Sequence, residues 1–105
     1  MAARTTRAVI EDHLDKRLAQ RFEDDLRDNY ADDVPLFTCT GVFRGHDGVR
    51  ESKRILDDSL PRAKFEIFNF LDRGEFAFVE WRATADGTER EGADSFIVRG
   101  GRIVA

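Results

Sequence analysis

Asp94 carries the sharpest chemical signal in this sequence. Counted in steps of two along Glu89–Arg99, it shares a face with Gly92, Phe96 and Val98. A carboxylate among phenyl rings loses hydration, and its pKa rises unless a cation pairs with it. Such a group can serve as a general acid or base, or donate a hydrogen bond while protonated. The plainer alternatives are a solvated strand end or a structural ion pair with an Arg or His. His13 stands three residues after Ile10 and one before Leu14, at the edge of an apolar helical stripe. It is a possible proton-transfer partner for Asp94, or else a satisfied boundary residue. Tyr30 and Trp81 each join an apolar body to a polar tip, which suits core packing and suits the wall of a pocket. His46 follows Gly45 in a turn and is expected in solvent.

Other chemistries find no support. Cys39 has no Cys-x-x-Cys partner and no positioned base, and reads as a small buried hydrophobe. No phosphate loop, nucleophile elbow, zinc-protease helix or dinucleotide fingerprint occurs. Asp24-Asp25 and Asp57-Asp58 read as charged helix faces rather than metal sites, so neither metal nor organic cofactor is expected. Seventeen Lys and Arg against 21 Asp and Glu give a net charge of −4, without a basic block. Nucleic acid and anionic membrane are therefore not expected partners. The N-terminal stretch has only Ala8-Val9-Ile10 as an apolar run, too short for a secretory or membrane segment. With a single cysteine, the expected compartment is the cytoplasm.

One domain over residues 1–105 must position these groups. Ile10, Leu14, Leu18, Phe22 and Leu26 recur every four residues and predict a helical stripe, capped by Thr5 or Thr6. A strict period of four drifts around a helix, so a bend or break is expected near Gln20–Phe22. Tyr30 ends the helical region. Leu36–Thr40 and Val42–Arg44 read as short strands flanking Gly41. A second helix is expected over Val49–Leu60, with Asp47 as N-cap and Pro61 as its stop. Period-two strands then follow at Lys64–Asp72, Phe76–Thr84 and Glu89–Arg99, with Asp86-Gly87 as a hairpin turn and Ile103–Ala105 beginning a last strand. Helices followed by a meander predict an α+β fold with helices over one sheet face. The Lys64–Asp72 strand is apolar on both faces, which predicts a homodimer through the outer face, with Phe68, Phe70, Glu80 and Arg82 among its contacts.

The order Tyr30-Ala31-Asp32-Asp33, Gly41-Val42-Phe43-Arg44-Gly45, Val79-Glu80-Trp81 and Asp94-Ser95-Phe96 resembles the nuclear transport factor 2-like superfamily, in its SnoaL-like polyketide cyclase and ketosteroid isomerase branch. The resemblance runs from about His13 to the end. It implies a cone-shaped curved antiparallel sheet wrapped around the N-terminal helices, whose mouth holds a small apolar or carbonyl-containing ligand. It places Asp94 at the acidic oxyanion-hole position of ketosteroid isomerase-like members. Their base falls on Thr38, which cannot abstract a proton at neutral pH, and their oxyanion tyrosine falls near Leu14. The resemblance thus implies catalysis by Asp94 with His13, and ligand contacts from Tyr30, Trp81, Thr38 and Phe96, but not steroid isomerisation itself. A non-catalytic binding or dimerisation module on the same fold is the alternative. Family members continue the last strand beyond the position of Ala105, so the last strand here is expected to be cut short.

Overall fold

A computed structural model describes residues 3–105. Along the chain run α1 (Thr6–Leu18), α2 (Phe22–Asn29), β1 (Pro35–Thr38), β2 (Gly41–Arg44), α3 (Gly45–Ser59), β3 (Lys64–Arg73), β4 (Phe76–Ala85), β5 (Thr88–Arg99) and β6 (Arg102–Ile103). The fold is α+β, as the periodicities predict. Strands β3-β4-β5-β6 form an antiparallel meander, and β1 and β2 form a separate hairpin. Past β6, the Val104 amide donates to the Ile97 carbonyl and the Ile97 amide to that of Ala105.

Thr5 caps α1 by accepting a hydrogen bond from the Ala8 amide at 3.1 Å. The helical stripe breaks where its drift requires. Gln20 takes a left-handed φ of 59°, and α2 restarts at Phe22. Each step of four residues rotates the stripe by roughly 40°, so Leu18 comes to lie 51 % exposed while Val9, Ile10 and His13 are buried. Asp47 does not cap α3. The helix begins at Gly45, and Asp47 sits in its first turn, hydrogen-bonded by Arg50. Both central residues of the Asp86-Gly87 turn have positive φ, 49° and 78°, which matches the right-handed twist of the flanking strands.

A β-bulge between Ile67 and Asn69 changes the phase of β3 and bends the sheet. Phe65, Ile67 and Phe70 then pair with Ala83, Trp81 and Val79 on the concave face, while Phe68 and Leu71 face outward. Phe70 is therefore not an outer-face contact; it packs against the core, beneath the Arg7 guanidinium. Outside, Glu80 accepts from Asn69, and Arg82 pairs with Glu89 and Glu91. Val9 and Ile10 of α1 and Leu26 of α2 pack with Val79, Phe96, Val98 and Ile103 over one half of the concave face. Leu56 and Leu60 pack with Ala83, Ala85 and Trp81 over the other. The strip of sheet between these two clusters positions Trp81 and Asp94.

Candidate functional site

Asp94 lies directly across β4–β5 from the buried Val79, so its side chain belongs to the concave face, as its phase with Phe96 and Val98 predicts. It remains open to water. Desolvation by the surrounding protein raises its pKa. The charge of His13, the polar edge of the Trp81 indole and the charge of Arg17 oppose the rise without cancelling it. Trp81 lies over its cross-strand neighbour Gly92, where a Cβ would stand 2.2 Å from the indole Cζ2. The indole lies flat over the glycine, tilted against Phe65 at 5.5 Å. Trp81 is half-buried.

His13 is buried on α1 and stands edge-on to Phe96 and Tyr30, with ring centroids 5.3 and 5.7 Å away. Its Nδ1 is 2.8 Å from Asp25 Oδ2. An ionised carboxylate only accepts, so Nδ1 carries the proton. His13 Nε2 hydrogen-bonds to nothing among the described residues. Asp25 is fully buried, which overturns its reading as part of a charged face. Its Oδ2 also accepts from Arg17 Nε at 2.7 Å, and its Oδ1 from Asn29 Nδ2 at 2.9 Å. Burial pushes the Asp25 carboxyl up. The hydrogen bond and charge of His13, the charge of Arg17 and the Asn29 bond outweigh it, so its pKa falls below the ordinary carboxylate value.

Arg17 Nη2 donates to the Tyr30 hydroxyl at 3.2 Å, and its guanidinium lies 4.6 Å from the Phe22 ring centre. Burial, only partly countered by the Arg17 charge, pushes the Tyr30 hydroxyl up to about 12, so it stays neutral at working pH. The break at Gln20 makes this arrangement possible, because it folds α2 back until Asp25 and Asn29 face α1.

His13, Tyr30, Trp81, Phe96 and Asp94 thus come together. Thr38 bonds outside this network: its hydroxyl pairs with Thr40 and donates to the Gly41 carbonyl in the β1–β2 turn. Cys39 is exposed in that turn, not buried, because the hairpin carries Phe37 and Val42 outward as well. His46 is half-buried, its Nε2 3.1 Å from the Tyr30 carbonyl, where solvent was expected. Sequence reasoning missed Arg17, Asp25 and Asn29. The usable signal was the i, i+4 spacing of Asp25 and Asn29 around Leu26, which sets both on the buried side of α2. Among the described residues no cluster has the donors to hold a metal ion. What the site offers is one proton-accepting carboxylate, an imidazole whose Nδ1–H is held by Asp25, and aromatic walls.

Residues 10–105 match the family described as the SnoaL-like domain. No curated protein matches the chain. Among solved structures, it is similar to TerC co-crystallised with polyporic acid, with 18 % identity, TM-score 0.76 and coverage of 94 % of this chain and 85 % of that one. It also resembles a candidate polyketide cyclase from Sinorhizobium meliloti, with 14 % identity, TM-score 0.77 and coverage of 92 % and 89 %. A candidate ketosteroid isomerase from Kribbella flavida DSM 17836 shows 19 % identity, TM-score 0.77 and coverage of 94 % and 72 %. At these identities the likeness is one of fold.

Proposed function

The chain belongs to the SnoaL-like domain family of the nuclear transport factor 2-like superfamily, and from that premise we propose that it binds a small carbonyl compound on its concave face and moves a proton on it. The observation that carries this reading is Asp94: a carboxyl on the ligand-facing side of the sheet, reachable by solvent, with its pKa raised by desolvation. A base works best when its pKa approaches the working pH. Asp94 would take the proton from carbon beside the carbonyl and return it elsewhere, as an isomerase, lyase or cyclase requires. His13, fixed by Asp25, presents Nε2 as the second proton-carrying atom, and Tyr30, Trp81 and Phe96 line the site. The sighting of polyporic acid with a protein of this fold supports a small-molecule ligand.

The test needs no known product. A panel of enolisable ketones and β-dicarbonyl compounds is incubated with the protein in D2O, and deuterium uptake beside the carbonyl is followed by NMR. Uptake above the buffer rate is expected for some members, and Asp94→Asn should lower it by about 10²–10⁴-fold while remaining folded. Binding without exchange across the panel would leave the second reading, a non-catalytic ligand-binding or dimerisation module. One observation favours that reading: Phe68, Leu71 and Phe76 stand exposed on the outer sheet face. A homodimer through that face is part of our proposal under either reading. So is a cytoplasmic location, supported by the exposed, unpaired thiol of Cys39.

A further inference from the structure

We propose that the uncommitted edge of the Arg17 guanidinium is an oxyanion seat of the concave site, receiving the charged oxygen of an enolate- or phenolate-type ligand. The proposal rests on the small-molecule reading above and gives it a substrate class.

An arginine carries five N–H donors. The Nε–H is held by Asp25 and one Nη2–H by Tyr30. Nη1 hydrogen-bonds to nothing among the described residues, and the side chain is 28 % exposed, so the remaining fork meets solvent. Two bonds and the Phe22 ring fix the plane of the group, so the free donors are aimed before any ligand arrives. Asp25 does not consume the charge alone, because the same Oδ2 also meets His13. Lys53, ion-paired with Asp57, stands 5.3 Å from the centre of the Phe22 ring. The field of Arg17 reaches Asp94.

These groups stand at opposite ends of one proton transfer. When the Asp94 carboxylate takes a proton from carbon, the C–H electron pair moves into the new C=C bond and the carbonyl π pair moves onto oxygen. Negative charge therefore leaves Asp94 and appears on the ligand oxygen, where Arg17 N–H donors can accept it into charge-assisted hydrogen bonds. Phe22, Phe96 and Trp81 supply apolar surface for a planar ligand body.

The test compares p-nitrophenolate with p-nitroanisole, which has nearly the same shape and no charge. Titrations are run at a pH where the free phenol is ionised and Tyr30 is not. The wild-type protein should prefer p-nitrophenolate by about tenfold or more, the scale of one hydrogen bond to a charged group. Arg17→Lys and Arg17→Gln should lower p-nitrophenolate affinity more than p-nitroanisole affinity, so that the preference is lost. Should neither variant fold, the guanidinium nitrogen resonances of wild-type Arg17 decide: they should shift with p-nitrophenolate and stay put with p-nitroanisole. Equal binding of the two probes, a preference surviving both variants, or unmoved Arg17 resonances overturns the seat and leaves the small-molecule reading standing. Failure of both probes to bind overturns the seat and the small-molecule reading together.

Discussion

Two carboxylates of one chain titrate in opposite directions, and partners decide the direction more than depth does. Asp25, wholly buried, accepts from His13, Arg17 and Asn29 and is held ionised. Asp94, open to water, lacks such a set of partners and is pushed up by desolvation. The consequences for stability have opposite signs. A raised folded pKa means that the folded state holds its proton more tightly, so Asp94 costs nothing below about pH 4 and destabilises as pH rises through its folded pKa. Asp94→Asn mimics the protonated form. It should raise Tm at pH 7 and leave it nearly unchanged at pH 3, as thermal melts at the two pH values would show. A lower Tm at pH 7 would instead mark Asp94 as a structural ion-pair partner. The Asp25 contribution is present above the unfolded carboxyl pKa and is lost as pH falls through its lower folded value. Asp25→Asn leaves Arg17 and His13 without their anion and should cost about 3–5 kcal/mol in denaturant unfolding at neutral pH.

At the scale of the element, β4 and β5 hold their functional residues by what Gly92 lacks. A methyl group at position 92 would enter the Trp81 ring, so Gly92→Ala must turn the indole away from the sheet. The change should cost about 1–3 kcal/mol, as overpacking does. Trp81 is the single tryptophan, so its fluorescence should shift red as the ring enters water, while an unshifted spectrum would mean that the indole has another resting place. The strands also show where the sequence was legible. Alternation placed Asp94, Phe96 and Val98 correctly because β5 runs through them without a bulge. It failed for Phe70, because one extra residue at the β3 bulge inverts every face beyond it, and the sequence around Phe68 bears no glycine or proline to announce it. Asp25 was hidden for another reason. Its acidic neighbours Glu23, Asp24 and Asp28 look like a solvated helix, and only the fold of α2 onto α1 puts one of the four in the core.

At the scale of the whole molecule, the outer face of the sheet is the unfinished surface. Leu71 and Phe76 are 57 % and 58 % exposed beside Phe68, and monomers rarely leave more than a few hundred Å² of contiguous apolar surface open. Sedimentation at micromolar concentration should report a dimer, and Leu71→Glu with Phe76→Glu should give a folded monomer; a monomeric wild type would contradict the assembly. A different consequence follows from the shortness of α2. Its eight residues fall below the roughly 12–15 that persist as an isolated helix in water, and it is held to α1 by the His13–Asp25–Arg17 cluster, by the Asn29–Asp12 and Lys16–Asp28 contacts and by Leu26 packed on Val9 and Ile10. Backbone amides of α2 then trade their protons for solvent deuterons when the helix lifts off α1, an opening that takes that cluster apart. The exchange rate along α2 becomes a clock for how often the site disassembles, and a ligand resting on Arg17 would slow it across a helix that the ligand need not touch.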